Sequence, residues 1–72
     1  MEGGEYMLSA LELERRKQGL TQKQLYSKSG VSTSTICNIE RNGIKTIPVG
    51  TLEKLAAALD TTVAKLFFSD EQ

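Results

Sequence analysis

A chain of 72 residues is long enough for one small domain with one core. Nine basic residues balance nine acidic ones, histidine is absent, and the single cysteine, Cys37, has no partner for an internal disulfide. This composition excludes a disulfide framework and a zinc site, and no apolar run reaches the roughly 18 residues of a membrane span. We therefore expect a cytoplasmic protein without a cofactor and without membrane contact.

The charges are unevenly distributed along the chain. The balanced total argues against a nucleic-acid-binding protein, since such proteins usually carry a basic surplus. Residues 21–48, however, hold four positive side chains and one negative one, a surplus of three. Charges act over about 10 Å at 0.1 M salt, so a phosphate backbone would respond to this segment more than to the acidic ends. The middle of the chain is therefore suited to nucleic acid.

Apolar residues at helical spacing predict a first helix over residues 7–18, which Gly19 would end in the left-handed conformation. Thr21 begins a second helix, and Gln24 follows at the spacing of a capping box. We expect this helix to run to about Lys28. The predicted inward face of the first helix carries Met7, Leu8, Leu11 and Arg15.

A short turn at residues 29–32 follows, and Ser32 is a suitable N-cap for a third helix that ends near Asn42. Two helices joined by so short a turn cross steeply, as in a helix-turn-helix unit. Pro48 suits the first turn of a fourth helix, and Thr62 caps a short fifth one. Their predicted apolar positions are Val49, Leu52, Leu55, Ala56 and Leu59, then Val63, Leu66 and Phe67. Five helices and no strand predict an all-α fold.

These elements together resemble the lambda-repressor-like family of bacterial and phage regulators, also called the Cro or XRE type. The resemblance runs from about residue 7 to residue 67. It rests on linked motifs, each weak alone: Arg15, Gly19-Leu20-Thr21-Gln22, Leu25, Gly30-Val31-Ser32, Ile36, Ile39-Glu40-Arg41, and Leu52 with Leu55-Ala56-Ala57-Ala58-Leu59. It implies a compact five-helix DNA-binding domain over residues 7–68, with a flexible tail at residues 1–6 and a second tail at residues 69–72.

The resemblance also assigns structural roles. Members of this family turn four apolar residues of helices two and three and of the turn between them inward, and they pair an arginine of the first helix with a glutamate near the end of the third. The matching ion pair is Arg15 with Glu40, which we expect to be largely buried. The alternative is two ordinary surface charges, worth about 1 kcal/mol or less. The matching inward residues are Leu25, Val31, Ile36 and Ile39.

The third helix, residues 32–41, would enter the major groove with its N-terminal end leading. Asn38 can present a donor and an acceptor to an adenine edge, and Arg41 can reach a guanine or a phosphate. Gln22 begins the second helix, where the dipole favours a phosphate, and it matches a residue that clamps the backbone in this family. The alternative for these residues is a solvated polar surface. The candidate DNA-binding set is Gln22, Ser32, Thr33, Ser34, Asn38, Arg41, Asn42 and Lys45.

The resemblance implies a bacterial or phage transcription regulator, associated with the nucleoid, that binds double-stranded DNA as a homodimeric repressor of a pseudo-palindromic operator. The candidate dimer residues are Leu66, Phe67 and Phe68. No enzyme activity or small-molecule substrate is expected, because no histidine or phosphate-cradling glycine motif is present. The alternative function is an antitoxin or adaptor that binds a protein partner through exposed Tyr6, Leu13 and Phe68.

Three features depart from the family pattern. Tyr26 stands where a small alanine is usual, so its ring either turns outward or alters the crossing of helices two and three. Asp60 stands where a glycine commonly closes helix four, which should cost a little stability. The loop over residues 43–48 is a residue or two longer than usual. Cys37 is expected on the outward side of the third helix as a small neutral filler, with a redox switch as the alternative.

Overall fold

The computed structural model describes residues 9–68, which form five helices and no strand. The helices are α1 (Ala10–Lys17), α2 (Gln22–Ser29), α3 (Thr33–Asn42), α4 (Val49–Ala58) and α5 (Val63–Phe67). The all-α prediction with five helices is thus confirmed. The predicted tails at residues 1–6 and 69–72, together with Met7 and Leu8, lie outside the described residues. None of the described helices has the length and apolar character needed to cross a membrane.

Side-chain caps set where most of these helices begin. The Thr21 hydroxyl accepts the backbone N–H of Gln24 at 3.0 Å, and the Gln24 side chain accepts the Thr21 N–H at 2.8 Å, which confirms the predicted capping box. Helix α1 begins at Ala10 rather than at residue 7, because Ser9 is its N-cap and has extended backbone angles. Pro48 is the N-cap of α4, so it lies just before the first turn rather than within it. Ser32 and Thr62 cap α3 and α5.

One hydrophobic core joins the five helices. Helix α2 packs against α3 and α4, and α1 packs against α3 and α5. Val49 was expected in the apolar stripe of α4 but is 62% exposed, because it lies at the edge of that stripe on the first residue of the helix. The buried hydrophobic residues are Leu11, Leu25, Val31, Ile36, Ile39, Leu52, Leu55, Ala56, Leu59 and Leu66.

The turn between α2 and α3 holds these two helices in a fixed relation. Gly30 has a φ of +79°, in the left-handed region that an L residue with a Cβ rarely adopts. The Ser29 hydroxyl donates to the Leu25 carbonyl at 2.8 Å and accepts the Val31 N–H at 3.0 Å. Val31 then inserts into the core. Tyr26 is 48% exposed, so its ring turns outward, the first of the two alternatives.

Helices α1 and α4 end with the same hydrogen-bond pattern but with different residues. After α1, Gly19 has a φ of +74° and its N–H donates to the Arg16 carbonyl at 3.0 Å. After α4, Asp60 has a φ of +62° and its N–H donates to the Ala57 carbonyl at 3.1 Å. In both cases the next N–H closes the longer bond of a Schellman motif. Asp60 therefore occupies a position that favours glycine.

Replacing Asp60 with glycine should stabilise the protein. The left-handed conformation costs an L residue about 1–2 kcal/mol, and the greater freedom of glycine in the unfolded chain offsets about half of that gain. We expect Asp60→Gly to raise the free energy of unfolding by about 0.5–1 kcal/mol in urea titrations. The matched control is Gly19→Ala, where a Cβ would meet no atom within 4 Å, so its expected loss of about 0.5–1 kcal/mol reflects the left-handed backbone without a steric clash. A less stable Asp60→Gly variant would contradict this account.

Candidate nucleic-acid interface

A buried ion pair joins the first and third helices. The Arg15 Nε atom donates to Glu40 Oε2 at 2.7 Å, and Arg15 Nη2 donates to Glu40 Oε1 at 3.1 Å. The side chains are 10% and 4% exposed, respectively. The third donor, Arg15 Nη1, reaches the carbonyl of Leu20 at 2.8 Å, just before the N-cap of α2. A single guanidinium therefore holds the end of α3 and the chain entering α2 against α1.

The Arg15 guanidinium keeps its charge in the neutral range. The hydrogen bond to Glu40 raises the pKa of Arg15 above its ordinary value, while desolvation by burial acts in the opposite direction. Because the raised pKa belongs to a basic group, its contribution to stability is present at neutral pH and is lost only at strongly alkaline pH. Arg15 thus remains a cation wherever the protein is folded near neutrality.

Gln22 also reaches the carboxylate of this pair. Its Nε2 atom donates to Glu40 Oε1 at 3.0 Å, and its side chain is half-buried at the first residue of α2. No spacing along the chain indicates this bond, because residues 22 and 40 are far apart in the sequence and belong to different helices. Only the way α2 and α3 pack together creates it. The candidate phosphate clamp is therefore tied to the ion pair.

The outer surface of α3 carries short polar side chains. Thr33, Ser34 and Asn38 are exposed, as is Arg41 in the last turn. Ser32 is the N-cap of the helix. Its hydroxyl accepts the Thr35 N–H at 3.2 Å and donates to the Thr35 hydroxyl at 3.0 Å. The candidate DNA-binding residues on α3 are therefore exposed, whereas the hydroxyl of Ser32 caps the helix.

Asn38 has a partner that sequence reasoning did not identify. The Nδ2 atom of Asn42 donates to Asn38 Oδ1 at 2.7 Å across one turn of the helix. A spacing of four residues is the only signal in the sequence that could have indicated this bond. Asn38 thus keeps its amide N–H groups for a partner outside the helix, while its oxygen already accepts one bond. Asn42 itself is exposed.

The remaining candidates lie at the margins of this surface or away from it. Lys45 is exposed in the loop after α3, where Ile44 and Ile47 pack against the core. Cys37 was expected to face outward, but it is half-buried and has no disulfide partner. Of the candidate dimer residues, Leu66 is only 7% exposed in the core of the monomer, which leaves little of it for a partner. Phe67 is half-buried and Phe68 is 62% exposed.

Two helices joined by the three residues 30–32, with an apolar inner side and an exposed polar outer side on the second, define the helix-turn-helix class of DNA-binding domains. A helix-turn-helix family model matches residues 11–66, from α1 to α5. The chain belongs to this family, of the Cro and lambda-repressor type, and is a DNA-binding transcriptional regulator. Comparisons with curated proteins and with solved structures gave no significant match.

Removing one partner of the buried pair should be costly. Arg15→Met leaves the Glu40 carboxylate buried without its cation, so we expect the free energy of unfolding to fall by about 3–5 kcal/mol in urea titrations. Adding Glu40→Leu should recover most of this loss, because two apolar side chains then replace the pair.

Arg16→Met is the matched control for this experiment. Arg16 pairs with Glu12 at 2.7 Å, but its side chain is 61% exposed, so the loss should stay within about 1 kcal/mol. Equal losses for Arg15→Met and Arg16→Met would contradict a structural role for the buried pair.

Proposed function

We propose that this protein is a repressor that binds a pseudo-palindromic operator as a homodimer and inserts α3 into the major groove. The observation that carries this proposal is the division of α3 into two sides. Ile36 and Ile39 are buried in the core, while Thr33, Ser34 and Asn38 are exposed on the same helix. A helix anchored in this way can present a constant set of polar groups to base edges. A protein bound there represses by covering the operator.

The residues proposed to contact bases directly lie in the N-terminal half and the middle of α3. Thr33 and Ser34 can bond to any base edge, and the threonine methyl can contact a thymine methyl. Asn38 offers its amide N–H groups to acceptors such as purine N7, with its oxygen held by Asn42. These side chains are short, so the backbone of α3 must approach the floor of the groove closely. The exposed hydroxyls and amide are consistent with that depth.

Backbone contacts flank the base-reading residues. Gln22 at the start of α2 lies where the helix dipole favours an anion, and Arg41, Asn42 and Lys45 follow the base-reading positions. Arg41 and Lys45 are exposed cations, which attract phosphates at long range. The phosphate contacts would therefore fix the register of α3 in the groove from both sides.

Dimerisation is proposed through the side of the molecule formed by α1 and α5. Leu13 on α1 is 52% exposed, and Phe68 directly after α5 is 62% exposed. These two helices pack against each other. A twofold dimer buries each such residue twice, and it matches the symmetry of an operator with two half-sites.

The same exposed residues also support a second candidate function, an antitoxin or adaptor that binds another protein through Leu13 and Phe68, while the third residue expected there, Tyr6, lies outside the described residues. The salt dependence of binding distinguishes the two candidate functions. DNA affinity should fall steeply with salt, with a slope of about 0.9 per phosphate neutralised, whereas an apolar protein contact should hardly respond.

Selection from a random duplex library tests the proposed operator. The wild-type protein should select a twofold-symmetric sequence whose half-sites lie about 10 base pairs apart or a multiple of that distance. Asn38→Ala should lose about 1–3 kcal/mol of discrimination at one base pair in each half-site, because one donor to a base edge is gone. Lys54→Ala is the control, since Lys54 is an exposed cation on α4 outside the proposed interface. If Asn38→Ala selected the same sequence as the wild-type protein, the assignment of α3 as the base-reading helix would be wrong.

Sedimentation equilibrium tests the proposed dimer. Phe68→Ala should raise the dissociation constant at least about tenfold, because each dimer loses two buried aromatic rings. Val49→Ala is a matched control, since Val49 is also 62% exposed but lies on α4. A wild-type protein that stays monomeric with operator DNA present, or equal effects of the two substitutions, would refute this interface.

A further inference from the structure

The carboxylate of Glu40 links the fold to the proposed phosphate clamp. Its Oε1 atom accepts two hydrogen bonds, one from Arg15 Nη2 at 3.1 Å and one from Gln22 Nε2 at 3.0 Å. The Glu40 side chain is 4% exposed and lies near the end of α3, whereas Gln22 is the first residue of α2. One buried group therefore fixes a side chain on the neighbouring helix.

The primary amide of Gln22 can serve two acceptors at once. It carries two N–H groups, and the bond to Glu40 uses one of them. A glutamine side chain free in solvent would lose up to about 2 kcal/mol of rotamer entropy on binding, and a side chain that is already held avoids most of this cost. The second N–H of Gln22 is thus held in a defined direction before DNA arrives.

The electrostatics of the pair suit this role. An unpaired carboxylate behind Gln22 would repel an approaching phosphate, because both groups are anions. Arg15 neutralises Glu40 with two hydrogen bonds, so the acceptor that anchors Gln22 adds no net negative charge at this place.

We infer that Glu40 is a positioning residue for DNA binding: it holds one N–H of Gln22 so that the other donates to a phosphate oxygen of the duplex. This inference rests on the proposed function, in which Gln22 contacts the backbone. In this arrangement, the pair of Arg15 and Glu40 sets the strength of the contact between Gln22 and the phosphate as well as the stability of the fold.

A double-mutant cycle on DNA affinity tests this coupling. The probe is the duplex selected by the wild-type protein, and the backgrounds are wild type and Arg15→Met/Glu40→Leu. In wild type, Gln22→Ala should weaken binding about tenfold for each half-site that the dimer occupies, the size expected for a hydrogen bond to a charged group. In the background without the pair, the same substitution should weaken binding less than about threefold for each half-site. Equal factors in both backgrounds, or no effect in wild type, would overturn the inference.

Nuclear magnetic resonance of the Gln22 side-chain amide gives a second test that needs no change in the ion pair. On addition of the duplex, the proton bonded to Glu40 should keep its chemical shift, while the other proton should move as it donates to phosphate. A loss of the bond to Glu40 in the complex would overturn the inference. Each of these failures leaves the base discrimination of Asn38 intact, so they are distinguishable from failure of the proposed function.

Discussion

The contact between Arg15 and Glu40 brings three helices together at one point. Arg15 spans from α1 to the carboxylate on α3 and to the Leu20 carbonyl ahead of α2. A buried pair of this kind adds little net stability compared with apolar side chains, but losing one partner is expensive because the other charge stays buried. The pair therefore acts as a constraint on geometry. It holds the end of α3 relative to α2, and the proposed DNA interface depends on that arrangement of the two helices.

Helix α3 carries the residues that hold the fold on one side and the residues proposed to contact DNA on the other. Its inner residues Ile36 and Ile39 are buried in the core, and its outer residues are short and polar. Because the outer residues are exposed, the proposed base-reading side chains can vary with little loss of stability. The turn at Gly30 and the cap at Ser32 set where this helix starts. The bond from Asn42 to Asn38 shows that even the outer side has internal order.

The positions of the charged residues explain how a member of this family with no net charge can bind DNA. Glu40 is the one acidic side chain between residues 21 and 48, and it is buried against Arg15. The exposed charges of that segment are consequently all positive: Lys23, Lys28, Arg41 and Lys45. The surplus of positive charge that a phosphate meets is therefore larger than the count over residues 21–48 indicates. The only negative charge of this segment, on Glu40, is cancelled by Arg15, which lies outside it.

The sequence by itself determined the elements that arise from local rules. The capping box at Thr21, the turn at Gly30, the helix order and most of the core follow from spacings within one or two turns, where backbone sterics and burial act directly. Tertiary structure decided which side chains meet across helices. Val49 is exposed, Leu66 is used by the core, and Gln22 joins Glu40. Such contacts depend on the packing of whole helices against one another, and no spacing along the chain encodes that packing.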